Sequence, residues 1–137
     1  MRAFDEADTE AVVALWEQCG LVRQWNDPRK DIARKLEVQR ELFLVGSVGD
    51  RIVATVMAGY DGHRGWVNYL AVDPAERGAG HGRALMTEVE RLLEARGCPK
   101  LSLLVRADND QALGFYSALG YDVDSVTALG KRLIPDY

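Results

Sequence analysis

"AVDPAERGAGHGRALM" occupies residues 71–86 and sets Gly78, Gly80 and Gly82 at alternate positions, just where an amphipathic pattern begins. Leu85, Val89, Leu92 and Leu93 recur at helical spacing, and Gly97 and Pro99 end the run after about Arg96. A helix start leaves its first backbone N–H groups without intrahelical partners, and a Ser, Thr, Asp or Asn side chain usually satisfies one of them. Residues 75–83 contain none of these. Bare N–H groups, small side chains and the positive end of a helix dipole make an anion site, and a phosphate is its natural occupant. Arg77 and Arg83 flank the loop and add charge, while glycine lets the backbone approach closely and take up unusual φ. The competing reading is a glycine-rich turn that holds nothing.

Other phosphate loops fit poorly. A nucleoside triphosphate loop requires Gly-Lys-Ser or Gly-Lys-Thr, which is absent here. A dinucleotide fingerprint requires G-x-G-x-x-G, but the run from Gly80 through Gly82 meets Leu85 where the last glycine belongs. The pattern that fits is R-G-x-G-x-G, after a strand ending V-x-P and before an amphipathic helix.

The elements around this loop alternate. Asp5 or Asp8 is placed to cap a first helix, whose apolar face is Val12, Leu15, Trp16 and Cys19, and Gly20 stops it. Asn26-Asp27-Pro28 marks a turn into a second helix that runs to about Arg40 with Ile32 and Leu36 inward. "LFLVGSV" (42–48) and "RIVATVMAGY" (51–60) are separated only by Gly49-Asp50, which signals a hairpin. "DGHRG" (61–65) then leads to "WVNYLAV" (66–72), giving an antiparallel meander. Strand 66–72, the helix after the glycine loop and "LSLLVRA" (101–107) form a βαβ unit, so that strand pair is expected to be parallel. A short helix over 110–119 is closed by Gly120, and the alternating "YDVDSVTALGKRLI" (121–134) reads as one or two final strands. The expected fold class is α+β: a mixed, mostly antiparallel sheet with helices on both faces and one parallel βαβ unit, in one domain over residues 1–137.

Composition narrows the function classes. The chain has 137 residues, 47% of them apolar, enough for one core. A net charge of −4 gives no general attraction to nucleic acid or an anionic membrane. No apolar run approaches the roughly 18 residues needed to span a bilayer, and the opening "MRAFDEADTE" lacks the apolar core of a secretory signal. Cys19 and Cys98 share no motif spacing and read as free thiols of a cytoplasmic protein. With two histidines and no Cys/His cluster, no metal site is expected.

In these two glycine-bearing segments the sequence resembles the GNAT superfamily, the acetyl-CoA-dependent N-acetyltransferases. "LAVDPAERGAGHGRALM" matches the family pattern Leu-x-Val-x-Pro-x-x-Arg/Gln-Gly-x-Gly-x-Gly/Ala. "LSLLVRADNDQALGFYSALGY" (101–121) matches a strand followed by Asn-x-x-Ala, then Tyr, then Gly-aromatic, at Asn109, Ala112, Tyr116 and Gly120-Tyr121. The segments "NDP", "AGYDGHRG" and "ARGCPK" are similar to a small bacterial single-domain subgroup. The resemblance implies acetyl-CoA as co-substrate. The coenzyme pyrophosphate is then expected on the loop Arg77, Gly78, Ala79, Gly80, His81, Gly82 and Arg83, and its pantetheine arm along Leu70, Ala71 and Val72. It further implies that Asn109 contacts the coenzyme and that Tyr116 protonates the departing thiolate.

The resemblance implies direct attack of an amine on the thioester, with a backbone N–H near Leu70 as oxyanion donor. Many relatives carry a Glu on the strand before the loop, yet "WVNYLAV" has no acid. Asp27, Asp61 and His63 are the loop candidates for a base, with a water chain as the alternative, and Trp25 and Asn68 are further candidates for the acceptor side. Bland roles compete for several residues. A core aromatic beside Phe115 is the competing reading of Tyr116, and Trp25, Trp16 and Trp66 read as packing residues. The charges at Arg29, Lys30, Arg34, Lys35 and Arg40 read as a solvated helix face, and Gly114 as a place where the coenzyme passes close by. The expected partners are acetyl-CoA and an unidentified amine, with no nucleic acid or membrane, in a monomer or homodimer. A non-catalytic acyl-CoA-binding module and a protein N-terminal or lysine acetylase stay open as alternatives.

Overall fold

A computed structural model describes residues 1–137. Its sheet has the order β1 (Arg2–Ala3), β2 (Phe43–Val48), β3 (Arg51–Tyr60), β4 (Gly65–Val72) and β5 (Leu101–Leu103). The first four strands pair antiparallel, and β4 pairs parallel with β5. α1 (Thr9–Gln18) and α2 (Pro28–Leu36) precede the meander, α3 (His81–Ala95) crosses from β4 to β5, and α4 (Asp110–Ala118) follows β5. The α+β architecture and the parallel crossover read from the sequence are both present.

Each face of the sheet buries its own cluster. Val12, Leu15, Trp16 and Ile32 from α1 and α2 pack on Phe43, Val45 and Met57. Leu85, Met86, Val89 and Leu93 of α3 pack on the other face against Leu44, Val53, Val56 and Val67. Burial on both faces explains why β2 and β3 read as nearly continuous apolar runs. Gly65 opens β4 because a Cβ there would fall 2.8 Å from Leu93 Cδ1. Asp27 caps α2 by accepting from the Arg29 N–H at 2.9 Å. Asp5 and Asp8 form a reciprocal cap on the short turn Glu6–Asp8, one step before α1. No helix is long and apolar enough to cross a membrane.

Five expectations need correction. α2 ends at Leu36, short of Arg40, and Gln39 turns left-handed at φ 53° before β2. β5 stops at Leu103 instead of running through 107, because its partner β4 bends away after Val67. The stretch 121–134 contains no strand: so short a β5 offers little ladder to extend, and Val123, Val126, Leu129 and Leu133 lie exposed. Trp66 is 39% exposed, since strand alternation turns Val67 inward and Trp66 outward toward Asp61. Lys35 is buried instead of solvated, and its ammonium donates to the Ala58 carbonyl. The chain end is tied down nonetheless: Asp136 pairs with Arg34 at 2.7 Å, and its carbonyl accepts from the Asp27 N–H at 2.6 Å.

Candidate active site

The site begins with a fault in β4. Met57 faces Asn68 and Thr55 faces Ala71, so Tyr69 and Leu70 together oppose Val56 alone. This is a β-bulge. Tyr69 takes φ 54°, in the left-handed region, at a cost of about 1–2 kcal/mol for a non-glycine residue. Its surroundings hold it there. Its ring stacks on Trp16 with centroids 3.8 Å apart. Its hydroxyl donates to Asp31 Oδ2 at 2.6 Å and accepts from Asn26 at 3.2 Å. Its carbonyl accepts from Thr55 Oγ1 at 2.9 Å, and the same Oγ1 accepts from Trp16 Nε1 at 2.9 Å.

The bulge opens the sheet. Pairing of β4 with β5 ends at Val67 and Leu103, and beyond it a cleft of about 940 Å³ separates the two strands. Asn68, Tyr69 and Leu70 form one wall, and Leu103 to Arg106 with Asn109, Ala112 and Tyr116 form the other. Trp25, Asn26, Asp31 and Arg34 close one end. Trp25 is 51% exposed, so the sequence-based packing role gives way to a position on the cleft mouth.

Tyr116 sits half-buried with its ring edge-on to Phe115 and Tyr121. Its hydroxyl makes no hydrogen bond to protein and is not sealed from solvent. Burial pushes the phenol up to about 12, so it holds its proton at any ordinary pH. Burial, and then the Asp31 carboxylate, also raise Tyr69.

The glycine loop lies past the other end of β4. Asp73 terminates the strand, accepts from the Ala75 N–H at 2.9 Å, and is braced by Arg51 at 2.9 Å. Gly78 and Gly80 have φ of 86° and 88°, and a Cβ on either would meet nothing within 4 Å. Gly80 is the N-cap of α3, and no side chain caps that helix. Ala79 and Arg83 are exposed beside it, and His81 Nε2 lies 3.8 Å from Glu76. Gly78 and Gly80 thus leave uncapped N–H groups behind a cradle free of side chains, the geometry a phosphate requires. Gly82 differs: it is buried and helical, and a Cβ there would fall 3.1 Å from Phe115 Cζ.

The remaining candidates divide. Asn68 joins the cleft. Asn109 lines it while its Oδ1 accepts from the Ala112 N–H at 3.0 Å, which makes it the N-cap of α4. Asp27 is spent on capping α2 and does not line the cleft. Asp61 and His63 sit in the β3–β4 turn, where Asp61 accepts from the His63 and Arg64 N–H groups at 2.8 Å, away from the cleft lining. Gly114 is exposed with no neighbour within 4 Å of a Cβ position. Asn26, Asp31, Arg34 and Thr55 escaped the sequence reading. Arg34 looked like part of a charged helix face, and only the tertiary fold sets it on Asp31 and Asp31 on Tyr69.

Comparison with known proteins decides the family. The family model described as "Acetyltransferase (GNAT) family" matches residues 4–121. The chain belongs to the GNAT family of acetyltransferases. It is 52% identical over 136 residues to an acetyltransferase of Yersinia enterocolitica, covering 99% of this chain and 96% of that one. An acetyltransferase of Pectobacterium atrosepticum is also 52% identical over 136 residues, with the same coverage of 99% and 96%. Among solved structures, this GNAT chain resembles Ard1 from Thermoplasma volcanium with a TM-score of 0.76 and 23% identity, over 90% of this chain and 82% of that one. It also resembles the ribosomal-protein-S18-alanine N-acetyltransferase of Escherichia coli, with a TM-score of 0.73 and 25% identity, over 90% and 77% of the two chains.

Proposed function

We propose that this acetyltransferase moves the acetyl group of acetyl-CoA to a primary amine by direct attack, with both substrates bound together in the β4–β5 cleft of a single cytoplasmic domain. The observation that carries this reading is the bulge at Tyr69 and Leu70. It bares the β4 edge opposite Tyr116 on a strand that leads straight to the uncapped start of α3.

Gly78 to Arg83 would receive the pyrophosphate on backbone N–H groups, with Arg77 and Arg83 adding charge. The exposed edge of Leu70, Ala71 and Val72 would bind the pantetheine amides, as an added strand would. The thioester carbonyl then lies near the Leu70 N–H, which stabilises the developing oxyanion. The amine, once a proton has passed from its ammonium form to water in the cleft, forms a C–N bond to that carbonyl carbon, and the C=O π pair moves to oxygen. The tetrahedral nitrogen gives its proton to water in the cleft, the oxyanion pair re-forms the C=O as the C–S bond breaks, and the Tyr116 hydroxyl gives its proton to the departing thiolate. Tyr116 regains a proton from solvent, so amine and thioester become amide and free thiol. Holding two reactants in one cleft supplies much of the acceleration.

Melting with and without acetyl-CoA tests the reading, with the free adenine nucleotide as control. A ligand at about 100 times its Kd adds ~2.7 kcal/mol and raises Tm by several degrees. A shift with acetyl-CoA and little with the nucleotide supports the coenzyme site. No shift at millimolar acetyl-CoA sinks the reading.

A further inference from the structure

We infer that Asp31 is the seat of the acceptor's ammonium group, in a subsite that takes compounds bearing a single primary ammonium and no second cation. This rests on the acetyl-transfer reading, and it fills the place left by the acid missing from β4.

Asp31 is the one carboxylate that lines the cleft, and its side chain is 22% exposed there. Its Oδ2 accepts from Tyr69 and Asn26, and its Oδ1 accepts from Arg34 at 2.7 Å. A carboxylate offers about four acceptor positions, so one remains for a ligand N–H. Charge points the same way. Arg34 is shared between Asp31 and Asp136, each at 2.7 Å, while Lys30 and Arg132 also face Asp136, so two carboxylates divide the Arg34 guanidinium. The chain's own C-terminal segment therefore holds Arg34 in place and leaves Asp31 with only part of a counter-charge. Tyr69 links Asp31 to the bulge through the full length of its ring, so Asp31 and the Leu70 edge where the acyl carbon is expected face the same cleft. Trp25, exposed at the mouth, offers an aromatic face to the carbon skeleton behind the ammonium.

The other cations set the limit. Arg23 lines the cleft and bonds only the Gly20 and Val22 carbonyls, and Arg106 lines it exposed and unpaired. Lys35 turns its ammonium away to Ala58. A second ammonium on the acceptor meets Arg23 or Arg106 instead of another acid, which disfavours diamines and polyamines.

Indole N–H resonances of Trp16, Trp25 and Trp66 provide the readout. Benzylammonium is titrated into the wild-type chain at neutral pH, with benzyl alcohol as the uncharged isostere and 1,4-bis(aminomethyl)benzene as the dication. The expected result is saturable movement of the Trp25 resonance by benzylammonium, at least tenfold weaker with the alcohol and with the diamine. Asp31→Asn should weaken benzylammonium at least tenfold and leave the alcohol unchanged, while its acetyl-CoA melting shift stays as in the wild type. Equal binding of the ammonium and the alcohol overturns the subsite. So does an Asp31→Asn chain that keeps the acetyl-CoA shift and still binds benzylammonium like the wild type. The wild-type probe comparison needs no variant and stands even if Asp31→Asn misfolds. Charge-selective binding without any acetyl-CoA shift would keep the ammonium subsite and sink the transfer reading, so the two failures are distinguishable.

Discussion

Gly82 lies under the ring of Phe115, close enough that a Cβ on it would fall 3.1 Å from Cζ and 3.6 Å from Val72 Cγ2. The glycine therefore lets α3 pack against α4, and through α4 it sets the wall that carries Tyr116. Gly82→Val forces a branched side chain into that contact. Overpacking of this kind costs about 1–3 kcal/mol, which lowers Tm by roughly 4 °C per kcal/mol. Thermal melting checks it. Gly80→Val meets no neighbouring atom but is strained at φ 88°, at a cost of about 1–2 kcal/mol, and unlike Gly82→Val it should also reduce the acetyl-CoA shift. If Gly82→Val melts like the wild type, the packing role is wrong.

Thr55 is fully buried, and its single hydroxyl joins Trp16 to the Tyr69 carbonyl. Thr55→Val keeps the shape and removes both hydrogen bonds. Each buried group left unpaired costs about 1–3 kcal/mol, so losing two partners should destabilise the fold by about 2–6 kcal/mol in urea melts. It also frees the backbone of a strained residue. A severalfold fall in kcat, with the acetyl-CoA shift intact, is the expected second effect. A stability loss without any change in kcat would detach the bulge from catalysis.

Much of this was legible in the sequence, for local reasons. Gly49-Asp50 and the β-branched runs around it place the β2–β3 hairpin at 49–50, as the structure has it. Asn26-Asp27-Pro28 announces α2, and bare glycines announce an uncapped α3. The candidate-site residues that escaped depend on contacts far apart in the chain. Asp31 and Tyr69 are separated by 38 positions, and Arg34 and Asp136 by 102. No periodicity encodes such pairs. Nor did "WVNYLAV" announce its bulge, because a left-handed Tyr69 is imposed by Trp16, Thr55 and Asp31 and not by its own preference. The alternating tail misled in the opposite way: it has the pattern of a strand, but too little sheet edge stands ready to receive it.

Asp8 supplies a pH-dependent part of stability. The Arg2 guanidinium, bonded to it at 2.7 and 2.9 Å, holds the Asp8 carboxyl below the usual carboxylate range, although burial acts the other way. A folded-state pKa below the unfolded value contributes stability above about pH 3.9, and that contribution is lost as pH falls through the folded value. Asp8→Asn keeps an oxygen for the Asp5 N–H but loses the ion pair. Arg2 is half-exposed, so solvent screening limits the loss to about 1 kcal/mol at pH 7. Paired melts of the two proteins from pH 7 down to pH 3 should show the gap closing below about pH 4. A gap that stays constant with pH would assign the effect to shape and not charge.

Tyr116 lines the cleft with a hydroxyl that the fold leaves free. It has no protein hydrogen bond, so Tyr116→Phe should cost little stability and keep the acetyl-CoA melting shift. Removal of a general acid typically costs about 10²–10⁴ in rate, and a fall in kcat of tenfold or more is expected, read as thiol release from acetyl-CoA with benzylamine as acceptor. Because burial pushes the phenol up to about 12, wild-type kcat should show no loss assignable to this group below pH 10. Were the ring only a packing aromatic, the phenylalanine would serve as well and kcat would not move. An unchanged kcat together with an unchanged coenzyme shift would therefore remove Tyr116 from the chemistry and leave protonation of the thiolate to water.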